Sequence, residues 1–242
     1  MRAYAIGDIH GQFDLLRRAH NLISRDGGAG APVVHLGDLI DRGPDSRGVV
    51  DYLMAGQAAG RPWIAVRGNH DPKLAMFLRE PLWLDPGAAE PQIYTAKGAH
   101  GAAETLASYG VELAEDRPLA EVHAEALALV PGDHADWLER LPLWYRFGDA
   151  LFVHAGLRPG VALEAQDALD LMWIRKEFHN DGRDHGFLVV HGHTPIREAT
   201  HYGNRVNMDS GAGQGGPLSV ARIDGEGVWL MGDDGARRLG GR

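Results

Sequence analysis

The chain has no cysteine among its 242 residues. That excludes disulfides, thiolate metal ligands and a cysteine nucleophile. It fits a reducing compartment, and a cytoplasmic protein is expected. No uninterrupted apolar stretch approaches the roughly 18 residues of a membrane-spanning helix. The first residues, Met1 to Asp8, reach a charge before a signal-peptide apolar run could form. Positive charge is also short, with 24 Lys and Arg against 33 Asp and Glu and a formal net charge of −9. A sequence-independent nucleic-acid binder needs the opposite balance, so neither nucleic acid nor a membrane is an expected partner. Acidity leaves an anionic substrate open, because bound divalent cations reverse the local field. What is present is ordinary for a soluble globular protein: 44% hydrophobic and 24% charged residues. The length suffices for a substantial core, and residues 1–242 are expected to form one domain.

Periodicity sets the fold class. Arg2 to Ile6, Pro32 to Leu36 and Pro62 to Val66 read as short strands, each ending in a glycine-containing loop. Phe13 to Ser24 and Ser46 to Ala59 carry helical spacing between them. This alternation predicts an α/β fold with functional loops at the carboxyl ends of strands. From about Pro72 to Trp144 helical periods dominate (Lys73 to Leu78, Ala99 to Tyr109, His134 to Leu141), and no flexible linker brackets them. A helical excursion packed on the same core is expected, with Trp83, Trp137, Trp144 and Trp173 sealing it there. Strand signals return at Ala150 to Val153, Gly186 to Val190, Arg205 to Met208, Leu218 to Ile223 and Gly227 to Met231. The last four are close in sequence and predict an antiparallel sheet. The end from Gly235 reads as a frayed tail.

Five short blocks carry the chemistry: Gly7-Asp8-Ile9-His10-Gly11, Gly37-Asp38-Leu39-Ile40-Asp41-Arg42-Gly43, Arg67-Gly68-Asn69-His70-Asp71, His154-Ala155-Gly156 and Gly192-His193-Thr194-Pro195. Each joins turn-forming glycine to Asp, Asn or His. Asp8 and His10 stand two apart after a strand, a spacing that points both side chains the same way in extended backbone. A carboxylate such as Asp38 has two oxygens and can bridge two cations, and Asn69 offers a neutral carbonyl oxygen. His154 and His193 each follow a strand. Oxygen and imidazole donors on loops suit a two-metal hydrolytic site, with manganese expected first and iron, zinc, nickel or cobalt compatible. Any one block has a simple alternative as a turn or helix cap; five in one chain do not. His191 forms His-x-His with His193 and is expected to pack or support rather than ligate. His35 is expected to be packed within its strand.

In order and content these blocks resemble those of the metallophosphoesterases, and most closely the phosphoprotein phosphatase family of serine/threonine-type enzymes, from Gly7 to Gly216. The resemblance implies two facing mixed β-sheets flanked by helices, with a metal pair at one sheet edge. By matching position it implies Asp8 and His10 on a first metal, Asp38 bridging, and Asn69, His154 and His193 on a second. It implies Arg42 and Arg67 as phosphate-binding arginines, with Arg175 a third candidate. It makes His70 the acid that protonates the departing oxygen and Asp41 the carboxylate that orients His70. Many metallophosphoesterases carry Gly-His-x-His in the last block. Here Pro195 replaces the second histidine, as in the phosphoprotein phosphatase branch, leaving one position open at the first metal.

The implied reaction is phosphomonoester hydrolysis by a water activated between two cations, on a phosphorylated protein or a small phosphoester. The related symmetrical dinucleoside tetraphosphatases resemble the chain in all five blocks but as a family tend to lack an aspartate at the Asp41 position. A phosphoanhydride leaves as stable phosphate and needs little acid; an alkyl ester leaves as alkoxide and needs one. Asp41 therefore favours monoesters over the alternative, dinucleoside tetraphosphate hydrolysis. A non-catalytic metal-binding protein is the remote third possibility, and no degraded block favours it.

Overall fold

Period-two alternation sorts the first strand between two environments. In β1 (Ala3–Ile6) the small Ala3 and Ala5 face one apolar cluster while Tyr4 and Ile6 face another. The computed structural model describes residues 2–85, 93–96, 101–114 and 116–241, and across them the same division recurs. β1 pairs in parallel with β2 (Val33–His35), which pairs in parallel with β3 (Trp63–Ala65). The intervening helices are α1 (Phe13–Arg25) and α2 (Ser46–Ala58), the latter N-capped by Asp45, whose Oδ1 accepts the Gly48 N–H at 2.7 Å. After the excursion, β4 (Trp144–Phe147) and β5 (Ala150–Val153) form a hairpin about Gly148-Asp149. α7 (Ala168–Trp173) and α8 (Lys176–His179) precede β6 (Leu188–His191), and β7 (Thr200–His201) and β8 (Arg205–Asn207) follow. β9 (Val220–Asp224), β10 (Gly227–Gly232) and β11 (Gly235–Arg238) close the chain.

Two mixed sheets result. One has the order β11-β10-β9-β1-β2-β3 and the other β4-β5-β6-β8-β7. Their inner faces meet through Ala5, Val34, Phe152, Val190, Val206 and Ala221. The outer face of the first sheet packs on α1, α2 and the excursion through Ile6, Leu16, Val49, Phe77, Leu106 and Leu138. That of the second packs on α7 and α8 through Leu151, Val153, Leu171 and Phe178. The α/β expectation of two mixed sheets flanked by helices holds. Because β1, β2, β3 and likewise β5, β6, β8 run parallel within their sheets, the loops after all six leave from carboxyl ends.

Several local expectations are corrected. The last four strands do not share an antiparallel sheet: β6 and β8 are parallel partners in the second sheet, whereas β9 and β10 lie antiparallel in the first. The expected tail contains β11, paired with β10, and Leu239 is buried. The excursion comprises α3 (Pro72–Arg79), α4 (Ala102–Ser108), α5 (Leu119–Leu129) and α6 (Gly132–Arg140). Of these α5 was not expected, and Trp144 belongs to β4. Ala99 and His100, expected to begin α4, lie outside the described residues. Trp137 does seal the excursion, donating its indole N–H to Gln57 Oε1 at 2.9 Å. Trp144 packs instead beneath the second sheet and Trp173 against His193. No helix among the described residues is long and apolar enough to cross a membrane.

Candidate metal and phosphate site

Backbone strain marks the site. The non-glycine residues with positive φ among the described residues are His10 (49°), Asp38 (48°), Asp41 (74°), Arg42 (68°) and His193 (67°). All five were nominated from the blocks. Left-handed backbone costs a non-glycine residue on the order of 1–3 kcal/mol and persists only where surrounding contacts hold it. Here the turn after β1 and the turn after β2 hold each other: the Ile9 and His10 N–H groups donate to the Asp38 carbonyl and the Gly11 N–H to the Leu39 carbonyl. His10 therefore does not lie in extended backbone beside Asp8. It turns toward Asp38, while the Asp8 carboxylate accepts the His193 N–H at 3.0 Å, bridging the two sheets.

Two buried groups bring donor atoms within 4.8 Å of one another: His10, Asp38 and His70, and Asp38, His154 and His193. Asp38 belongs to both, with Oδ2 at 3.4 Å from His10 Nε2 and Oδ1 at 3.4 Å from His154 Nε2. The imidazole tautomers fit a metal. His10 Nδ1 lies 2.9 Å from the Ile40 carbonyl and His154 Nδ1 2.7 Å from the Leu36 carbonyl. A carbonyl only accepts, so both nitrogens donate and both Nε2 atoms present lone pairs to the site. His154 Nε2 meets Asn69 Oδ1 at 3.0 Å, beside the Asp38 oxygen, a convergence of acceptors that calls for a cation. Guanidinium groups supply positive charge at the other lone pairs. Arg42 donates to His10 Nε2 at 2.8 Å and His70 Nε2 at 3.2 Å, and Arg175 Nε donates to His193 Nε2 at 3.0 Å.

Charge balance points the same way. Burial, then the carboxylates of Asp209 and Asp38, pushes Asp8 well above the usual carboxylate range. Burial alone would raise Asp38 too, but His154, His70, His10 and His193 around it hold it well below. Burial lowers His10 to about 3 and His193 to about 2, so both are neutral lone-pair donors at neutral pH. Divalent cations would offset the crowded carboxylates and engage those lone pairs.

His70 and Asp41 form a buried pair, with His70 Nδ1 donating to Asp41 Oδ2 at 2.7 Å. Arg67 stands apart. Its guanidinium donates to the Glu139 carbonyl, and its buried Nε has no partner among the described residues. His191 is a packed neighbour, accepting from Arg205 at 3.2 Å, and His35 is fully buried with Nδ1 donating to the Ile64 carbonyl at 2.8 Å.

Four further residues were not nominated. Asp71 closes the third block: its carboxylate accepts the N–H groups of Gly68 (2.6 Å), Leu39 (2.7 Å) and Asp38 (3.1 Å), tying two loops together. Asp209 stands two residues past the end of β8 as Asp8 stands two residues past the end of β1, an acid just beyond a strand, which is a signal the sequence did contain. Tyr94 and Thr105, from the excursion, bond Asp41 at 2.6 and 2.8 Å. Beside them opens a recess of about 970 Å³ lined by Arg42, Gly101, Ala102, Leu113, Leu119 and Gly213, among others.

Gly68 illustrates how closely the loops approach. A Cβ there would overlap the Asp38 nitrogen and Oδ1. Gly68→Ala is expected to cost about 1–3 kcal/mol by overpacking and to displace Asp38, lowering both the urea midpoint and the metal content per chain. Full metal retention would count against the role given to this contact.

The chain is similar to known proteins. The calcineurin-like phosphoesterase family profile matches residues 1–232. A Salmonella typhimurium protein named serine/threonine-protein phosphatase 1 is 31% identical over 229 residues, covering 91% of each chain. An asymmetrical bis(5'-nucleosyl)-tetraphosphatase PrpE from Anoxybacillus flavithermus is 28% identical over 240 residues, covering 90% of this chain and 88% of that one. The crystal structure of a cold-active protein-tyrosine phosphatase from a psychrophilic Shewanella superposes with a TM-score of 0.65 at 15% identity, over 99% of this chain and 80% of that one, a likeness of fold.

Proposed function

The chain belongs to the calcineurin-like phosphoesterase family and is a metal-dependent phosphatase, and from that premise we propose that it hydrolyses phosphomonoesters of the serine/threonine type. The observation that carries this is the buried His70–Asp41 pair at 2.7 Å, a proton donor with a fixed carboxylate behind it. An alkoxide leaving group requires such a donor, and an anhydride does not.

We assign Asp8, His10 and Asp38 to one ion and Asp38, Asn69, His154 and His193 to the other, with manganese the first choice. Bound there, two divalent cations would supply Lewis acidity and a water acidic enough to act as nucleophile near neutral pH. The chain's own groups do the rest. Arg42 and Arg175 bind the phosphoryl oxygens by exchanging their histidine partners for substrate. Arg67 joins them by exchanging the Glu139 carbonyl for a phosphate oxygen, which would also satisfy its unpaired Nε. His70 delivers a proton from Nε2 to the departing oxygen, and Asp41 stabilises the imidazolium before transfer. The recess beside Arg42 is large enough to take the organic part of the ester.

The tetraphosphatase relative makes phosphoanhydride hydrolysis the competing assignment. Steady-state rates with manganese on phosphoserine peptides, small phosphomonoesters and dinucleoside tetraphosphates separate the two. The highest kcat/KM is expected on a monoester; a clear preference for the tetraphosphate would overturn the assignment.

A further inference from the structure

Asp41 and Arg42 both sit at positive φ, 74° and 68°, on consecutive residues. Something outside their own loop must hold that turn, and the contacts come from the excursion together with Ser46 at the start of α2. The Asp41 N–H is shared between Ser46 Oγ at 3.1 Å and Thr105 Oγ1 at 2.9 Å. The Arg42 N–H donates to the Gly101 carbonyl at 3.4 Å. The Thr105 hydroxyl has one hydrogen, and it goes to Asp41 Oδ1 at 2.8 Å, so at 2.9 Å Ser46 is the donor to Thr105. The Tyr94 hydroxyl gives its hydrogen to the same Oδ1 at 2.6 Å. Burial, with Asp41 beside it, keeps that hydroxyl well above its ordinary pKa and therefore a donor. Tyr94, Thr105 and Asp41 are all buried. Two hydroxyls thus fix one oxygen of Asp41, leaving the other aimed at His70.

We propose that Tyr94 and Thr105 are positioning residues for proton delivery to the leaving group: they set the Asp41 carboxylate, and through it the His70 ring, so that Nε2 faces the departing oxygen. Neither lines the recess beside Arg42 and neither hydroxyl bonds a proposed metal ligand, so removing either hydroxyl should slow the step that needs the acid without weakening binding. The proposal rests on the phosphomonoesterase assignment above.

The test uses the manganese-loaded protein and two esters, a phosphoserine peptide and p-nitrophenyl phosphate. The first leaves as an alkoxide and needs protonation; the second leaves as a stabilised phenolate and needs little. Tyr94→Phe and Thr105→Val are expected to lower kcat on the peptide about tenfold or more beyond their effect on the aryl ester, in line with the loss of a supporting hydrogen bond at a catalytic centre. KM and metal content should stay close to wild type. Thr105→Ser, which keeps the hydroxyl, should restore the rate. Equal losses on both esters, or a Thr105→Ser protein as slow as Thr105→Val, would overturn the proposal by pointing to packing alone. A wild-type protein that cleaves neither ester refutes the phosphomonoesterase assignment and takes this proposal with it. A wild type that cleaves both while the variants lose equal factors refutes this proposal alone.

Discussion

Asp38→Asn is expected to lower kcat by about a thousandfold or more and to leave the protein short of metal. Asp38 is common to both donor clusters and sends one oxygen toward each. Asparagine keeps the shape but replaces one oxygen with an NH₂ group, which cannot ligate and would turn N–H bonds toward a lone pair. It also removes the negative charge around which four histidines are gathered. Metal ions contribute several kcal/mol of transition-state stabilisation; losing about 4 kcal/mol is about a thousandfold in rate. The metal-free fold should change little. Asn can still accept the His70 N–H that Asp38 Oδ1 accepts at 3.0 Å, and the Asp38 backbone remains held by Asp71. Metal per chain by elemental analysis and kcat with excess manganese read the two effects separately. A variant with full metal content and a rate within about tenfold of wild type would rule out the bridging role.

The candidate ligand residues could be nominated because each lies in a loop just after an apolar run. That pattern is local, and parallel strands then bring the loop ends together. His10 shows the limit of local reasoning. Residue spacing implied a side chain parallel to Asp8, and the left-handed turn that swings it away is imposed by the Asp38 carbonyl, which no spacing rule anticipates. Strand partners were less legible than strands. Nothing in Leu188–His191 or Val220–Asp224 says which sheet it joins; that depends on the connection, and the stretch before β8 makes a parallel crossover while the short turn before β10 makes a hairpin. β11 was missed because Gly235–Arg238 is exposed throughout and is held by backbone bonds to β10. Tyr94 and Thr105 left no signal at all. They reach Asp41 across 53 and 64 residues, from a region whose periodicity reports helices and nothing about what they touch.

Asp41→Asn is expected to lower kcat about a hundredfold or more on an alkyl phosphate and less than about tenfold on an aryl phosphate or an anhydride, since a general acid contributes roughly 10²–10⁴ where the leaving group needs it. The substitution separates charge from position. Three donors converge on the Asp41 carboxylate: the Tyr94 and Thr105 hydroxyls on Oδ1 and the His70 ring on Oδ2. An asparagine satisfies this arrangement with its oxygen toward His70 and its NH₂ toward the hydroxyls, which can rotate and accept. The ring stays oriented, and what disappears is the negative charge that stabilises the imidazolium before it gives up its proton. Tyr94→Phe does the reverse, keeping the charge and loosening the position. On the proposed role both act through the same His70 proton, so the double variant should lose less than the product of the single losses. Equal factors for Asp41→Asn on alkyl and aryl esters would remove the leaving-group argument, and strictly multiplicative losses would show that the two residues do not work through one histidine.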